Sequence, residues 1–366
     1  MGDFTPIASS GVTKYGPKGL FNQASFSNFN IDSHYTDILK HAANHSLAKK
    51  SWSAYKTAGN MLGRCAEETG CDMSLPLAEK QVLLFIAWLI ERGLKSRTIS
   101  SYLSGIRMAH LSRGVYIPIL RSDLVKQILD GRLHLDHINS SLDNKPRRLP
   151  VTPTILRLLK IELKAADYER EDKRLLWSIA TLAFAGGFRI HELLSVQEDM
   201  FDPLFTLLGS DVTLKPLTVG TERVETLQIK LKSQKSDRVG VDCIVDVYES
   251  KGEICPVKAF KKWKQCTTHY ATDLPTFRLS SGKPLTGRRF NKYLKSLLKE
   301  HIDYKKGSIS SHSFRAGIAT IMGQLGYADQ EIQALGRWSS RAFEAYLKLP
   351  RTKRITMAKA IGSLAM

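Results

Sequence analysis

The chain has only five cysteines among 366 residues, at positions 65, 71, 243, 255 and 266. Their number is odd and no two form a CxxC, so neither a zinc ribbon nor a disulfide framework is expected, and the thiols should be reduced and mostly packed. Long apolar runs are missing too. The longest, VLLFIAWLI from Val82 to Ile90, is too short to span a bilayer and ends in Glu91-Arg92-Gly93 as a buried helix does. No membrane segment is expected. The opening MGDFTPIASSGVTKYGPKGL lacks the apolar stretch of a secretory signal, so the chain is expected to stay inside the cell. No repeat at a fixed period is visible, which excludes a solenoid. Acidic residues are few: 35 Asp and Glu against 54 Lys and Arg leave a formal charge of +19, which points to a polyanionic partner, nucleic acid first.

The length exceeds one ordinary core, and 43% apolar residues are enough to bury two. Residues 1–36 are rich in Gly, Ser, Asn and Thr and read as a flexible arm. Residues 37–138 turn helical. There, Ile99, Tyr102, Leu103 and Ile106 follow the spacing of one helix face and leave Ser100, Ser104 and Arg107 on the outer side. The stretch 139–152, which contains Lys-Pro-Arg-Arg-Leu-Pro, reads as a semi-extended linker. Residues 153–349 form a second domain, opened by Thr152 and Pro153 as cap and first turn of a helix. Within it, Leu227, Ile229 and Leu231 alternate with Gln228, Lys230 and Lys232, and Val239 to Val245 alternate again, predicting a hairpin. Residues 350–366 are a tail with a modest apolar stripe at Ile355, Ala358, Ile361 and Leu364. The fold class expected is mainly α, two domains, with one small antiparallel sheet.

Chemistry concentrates in the second domain. In ISSHSFRAGIATIMGQLG, Ser310 or Ser311 is placed to cap a helix, which puts His312 and Arg315 three apart on its first turn, where backbone N–H groups favour an anion. In AGGFRIHELLSV, Arg189 follows a glycine turn at the opening of another helix, with Glu192 three residues on to orient or neutralise it. Arginine clamps phosphoryl oxygens through two parallel hydrogen bonds. Two arginines, a histidine, a hairpin lysine and a late tyrosine form a set that needs no metal or cofactor. The guanidiniums stabilise a pentacoordinate phosphorus, the histidine manages a proton, the tyrosine hydroxyl attacks in line, and the lysine protonates the departing oxygen. Each part alone has a plainer reading: a tyrosine beside Phe343 and Leu347 can simply pack, and His191 suits a surface or packing role.

In this order and at these separations, GGFRIHELLSV, the lysine hairpin, HSFR, LGRW and Tyr346 resemble the tyrosine recombinase (phage-integrase-type) family, over about Lys50 to Leu349. The resemblance implies a helical core-binding domain followed by a catalytic domain. It makes Arg189 and Arg315 the two catalytic arginines, His312 the histidine between them in the chain, and Tyr346 the nucleophile. Lys232 suits the family lysine, with Lys235 as runner-up. A gapless match of LGRWSSRAFEAY places Arg337 where the family has histidine or tryptophan, one residue before Trp338, so either Arg337 or Trp338 fills the sixth position. The family forms a 3′-phosphotyrosyl link, releases a 5′-hydroxyl and exchanges strands through a Holliday junction. Implied partners are double-stranded DNA carrying a recombination site and further copies of the chain, a dimer on one site and a tetramer in synapsis, with the tail docking in trans. Arg107, Arg147, Arg148, Arg288, Lys292 and Lys295 are then candidate DNA contacts, although a solvated face is the plainer reading of the last three. The wording is nearer the Crypton and DIRS-like elements than bacterial Xer proteins, implying transposition or excision of a mobile element. The nucleus is the expected site in a eukaryote, and otherwise the cytoplasm. Two alternatives stay open: a type IB topoisomerase, which uses a similar residue set, and a domesticated DNA-binding protein without chemistry.

Overall fold

The computed structural model describes residues 23–44, 49–142, 147–219, 221–232, 243–303, 307–338 and 341–347. The chain divides into two compact units, Met1–Asn144 and Lys145–Met366.

The first unit is helical. A 310 helix, Gln23–Phe29, precedes α1 (Ser33–Asn44), so the stretch expected as an unstructured arm carries local helical structure from Gln23 on. Then follow α2 (Lys49–Thr69), α3 (Glu79–Glu91), α4 (Ser96–Leu111) and α5 (Asp123–Leu142). α3 is apolar nearly all round and buries Val82, Phe85, Ile86, Trp88 and Leu89. α4 buries Ile99, Leu103 and Ile106 against it, as the periodicity predicts. His110 is fully inside: its Nε2 accepts the Leu77 N–H at 2.9 Å and its Nδ1 lies 2.7 Å from the Ile106 carbonyl, which fixes a neutral ring with the proton on Nδ1. Burial holds its pKa below the ordinary histidine value. α5 continues through Leu142, four residues into the stretch expected as linker.

The second unit opens on β1 (Arg147–Arg148), which pairs in parallel with Gly307–Ser308. The basic stretch read as linker is therefore bonded at these two residues to the second unit, because its backbone groups find partners there. α6 (Pro153–Ala165) is capped by Thr152, whose hydroxyl accepts the Ile155 N–H, with Pro153 at the first position. α7 (Arg170–Ala185) is the central helix, burying Leu175, Leu176, Ile179 and Leu182; the four-residue α8 (Ile190–Leu193) follows a glycine turn. Next come β2 (Val212–Val219), β3 (Glu222–Leu231) and β4 (Cys243–Tyr248), an antiparallel sheet in the order β2-β3-β4. The alternation at Leu227, Ile229 and Leu231 is β3, all three inside. The expected hairpin is one half of this sheet, and β2 is the strand that the sequence hid. Most of β2 is exposed and Pro216 lies in its middle, so it carries no alternation, and only an edge position tolerates the missing N–H.

The remainder is helical apart from one short strand: α9 (Pro256–Lys264), α10 (Gly287–Leu297), β5 (Gly307–Ser308), α11 (His312–Leu325), α12 (Asp329–Gly336) and a 310 helix, Arg341–Tyr346. The core joins Leu156 of α6, Ile179 of α7, Phe260 of α9, Phe290 of α10 and Phe314 of α11. No helix among the described residues is long and apolar enough to cross a membrane.

Candidate active site

The site grows from the turn after α7. Gly186 closes the helix by donating to the Leu182 carbonyl at 3.0 Å, and Gly187 takes φ +54°, a left-handed geometry that side chains disfavour. The reversal sets Arg189 immediately before α8. Glu192, only 8% exposed, turns back onto it: one carboxylate oxygen accepts the Arg189 backbone N–H at 2.9 Å and the other accepts Arg189 Nη1 at 2.9 Å.

The second arginine comes from α11. The start of this helix differs from the expected serine cap. Ser311 already has helical dihedrals and its hydroxyl makes no capping bond. Instead the Ser310 N–H donates to Ser313 Oγ at 3.1 Å, and the Ser311 N–H donates to Asn291 Oδ1 of α10 at 2.7 Å. His312 is exposed at this turn, whereas Arg315, one turn on, is 6% exposed. Arg315 Nη1 donates to the Gly187 carbonyl and Nη2 to the Arg337 carbonyl at 3.4 Å. The left-handed glycine thus presents the acceptor that orients the second arginine, two residues from the first.

α12 supplies the third side. Arg337 caps it with φ 53° and ψ 47°, left-handed for a residue with a Cβ, a conformation that costs about 1–2 kcal/mol. Its Nη2 donates to Glu192 at 3.0 Å and its Nη1 to the Gly186 carbonyl at 2.9 Å. Trp338 lays its ring 4.2 Å from the Arg315 guanidinium. A side chain at Gly336 would overlap that ring, since a Cβ there falls 1.6 Å from Trp338. Arg189, Glu192, Arg315, Arg337 and Trp338 are in this way linked into one cluster. One carboxylate set against three guanidiniums leaves it net positive, a field that attracts an anion.

The 310 helix Arg341–Tyr346 is held to α11 and α12 by Phe343, which is buried with Ala319 and Ile332 and packs 5.7 Å from the Trp338 ring. Leu347 packs into the same group, so Phe343 and Leu347 share a face as their spacing indicates. Tyr346 is the last residue of that helix. Its side chain lies outside the described residues, as do Lys235 and the side chain of Arg147.

Lys232 bonds to residues outside the cluster. Its Nζ lies 3.0 Å from Asp211, which is 7% exposed, and 3.0 Å from the Pro203 carbonyl. Asp211 also accepts the Leu208 N–H at 2.8 Å. Of the candidate DNA contacts, Arg288, Lys292 and Lys295 are exposed along α10 with Phe290 and Leu294 inside, and Arg148 is exposed on β1. Arg107 in the first unit is only partly exposed and its Nε is enclosed, so less of its guanidinium faces solvent than the helix spacing suggests. Residues that the sequence did not mark are Asn291 and Asp211, and the carbonyls of Gly186 and Gly187. Carbonyl acceptors leave no trace in side-chain identity.

No protein-family model and no curated protein matches the chain. Solved structures do. The XerH site-specific recombinase bound to a palindromic difH substrate aligns with a TM-score of 0.57 at 13% identity, covering 95% of this chain and 91% of its own. A lambda integrase dimer bound to a COC′ core site aligns with a TM-score of 0.51 at 14% identity, covering 88% and 79%. The fold is that of the tyrosine recombinases. In this recombinase fold the glycine turn, the start of α11 and the C-terminal cap of α12 converge, although Arg189, Arg315 and Arg337 are 126 and 22 residues apart in the chain.

Proposed function

We propose that the chain is a site-specific DNA recombinase that cleaves and rejoins duplex DNA through a 3′-phosphotyrosyl intermediate on Tyr346, in the excision and integration of a mobile element. The observation that carries this reading is the union of Arg189 and Arg315. Their separate helices meet at the Gly186-Gly187 turn, Arg189 held by Glu192 and Arg315 by the Gly187 carbonyl and the Trp338 face. The solved structures with this fold include recombinases bound to their DNA sites.

In this mechanism the two guanidiniums hold the non-bridging oxygens of one scissile phosphate and offset the charge gained at phosphorus. His312, at the exposed start of α11, takes the phenolic proton as Tyr346 attacks. The P–O bond to the 5′ oxygen breaks as the bond to Tyr346 forms, and a lysine of the β3–β4 connection, Lys232 or Lys235, protonates the leaving oxygen. Attack by a 5′-hydroxyl from a second duplex reverses the step and completes strand exchange. The resemblance to the recombinases implies a dimer on one site and a tetramer in synapsis.

The test uses nicked suicide duplexes tiled across the DNA that flanks the gene for this chain. The expected result is a covalent protein–DNA adduct, absent in Tyr346→Phe, together with joining of two sites. Relaxation of supercoils without joining would point to a topoisomerase, and binding without an adduct to a protein that has no chemistry.

A further inference from the structure

Arg337, one of the two candidates for the sixth family position, has its donors committed to protein rather than aimed into an open pocket. Nη2 donates to Glu192 at 3.0 Å and Nη1 to the Gly186 carbonyl at 2.9 Å, while Nε is enclosed without a partner. Its side chain is 12% exposed and that of Glu192 is 4% exposed. The Arg337 guanidinium lies 4.8 Å from the centroid of the Phe188 ring, beneath the glycine turn. Each of these contacts faces the segment that carries Arg189.

The backbone of the same residue serves the other arginine. Its left-handed conformation turns the carbonyl toward Arg315, which donates to it at 3.4 Å, and directs the next residue, Trp338, over the Arg315 guanidinium. Side chain and carbonyl thus act on different arginines. Glu192 completes the link, because its two oxygens divide between the guanidiniums of Arg189 and Arg337.

We infer that Arg337 is a positioning residue. Resting on the function proposed above, it aligns the two phosphate-binding arginines with each other, Arg189 through Glu192 and Arg315 through its own carbonyl, and does not touch the phosphate. A guanidinium is required for this, because its two terminal nitrogens reach two acceptors at fixed spacing. Trp338, not Arg337, is the residue of the LGRW stretch that covers the pocket arginine.

The test is a double-mutant cycle on the full chain with Glu192→Gln, Arg337→Gly and Arg337→Lys. Glycine tolerates the positive φ, so a loss in Arg337→Gly belongs to the side chain. Single-turnover cleavage of the nicked duplex that gives a wild-type adduct should fall by up to about 100-fold in each variant, the scale of a misplaced catalytic group. Affinity for the duplex should hold, and the Glu192→Gln/Arg337→Gly double variant should be no slower than the slower single. Multiplying losses, or a wild-type rate in Arg337→Lys, would overturn the inference, since either means that the charge acts on its own. Melting midpoints of the DNA-free protein provide a second cycle that does not depend on cleavage. If no duplex gives an adduct with wild type, the proposed function fails, and this second cycle decides the brace: shared losses uphold it, additive losses end it.

Discussion

Arg315 and Trp338 are stacked, guanidinium to ring centroid at 4.2 Å, and the same indole packs 5.7 Å from Phe343 in the helix that ends at Tyr346. One ring therefore touches both Arg315 and the helix that ends at Tyr346. A partly desolvated stack of this kind contributes about 0.5–2 kcal/mol. Trp338→Ala is expected to slow single-turnover cleavage by about 10-fold or more, because Arg315 and the 310 helix lose the same support. Trp338→Phe should retain most of the rate. An alanine variant that cleaves as fast as wild type would remove Trp338 from the site.

Lys232 and Lys235 are separable by chemistry. A general acid is needed only while the leaving oxygen is basic, so a duplex with sulfur at the 5′ bridging position should restore cleavage to the variant that has lost it. Rescue of Lys235→Ala alone would make the Lys232–Asp211 pair structural. In that case Lys232→Ala should lower stability by about 1–3 kcal/mol, because it leaves a buried carboxylate short of a partner. Rescue of Lys232→Ala would instead mean that the lysine leaves Asp211 when DNA binds.

The exposed stripe of α10 should report on DNA tracking. If Arg288, Lys292 and Lys295 contact phosphates, each charge removed should lower the slope of log affinity against log salt by about 0.9. Because all three point away from Phe290 and Leu294, substitution to glutamine should leave the melting midpoint unchanged. An unchanged slope in the triple variant would make the stripe a solvated face.

His110 predicts an acid limit for the first unit. Its pKa is lowered from 6.5, mainly by burial. The unfolded chain therefore takes up this proton first as pH falls. The neutral ring's contribution is complete above about pH 6.5 and declines as pH drops from there toward the lowered folded value. Urea midpoints followed down to about pH 5 should fall in wild type, and less steeply in His110→Gln. Equal slopes would place the acid sensitivity elsewhere.

Much of the fold was legible because its causes are local. The apolar run of α3, the face of α4, the Thr152-Pro153 start of α6 and the alternation of β3 each follow from the identities of neighbouring residues. The elements that were missed are those in which identity and environment part company. β2 is an exposed edge strand with a proline at its centre, so no periodic signal marks it. The cap at α11 went to Asn291 and Ser313 rather than to Ser310 or Ser311, since a capping bond depends on which residue has already turned helical and on what a neighbouring helix offers.

At the site the division is sharper. The sequence by itself determined the chemical inventory: arginines after a glycine turn and within a helix's first turn, a histidine beside one of them, and a tyrosine near the end. It also determined Glu192 as a partner for Arg189, because three residues on one turn are within reach. The tertiary structure alone decided that Arg337 shares that carboxylate and that the carbonyls of Gly187 and Arg337 receive Arg315. It also decided that Lys232 is bound to Asp211. These are contacts between segments far apart in the chain, several of them made to backbone oxygens that every residue possesses, so their direction exists only once the helices have packed.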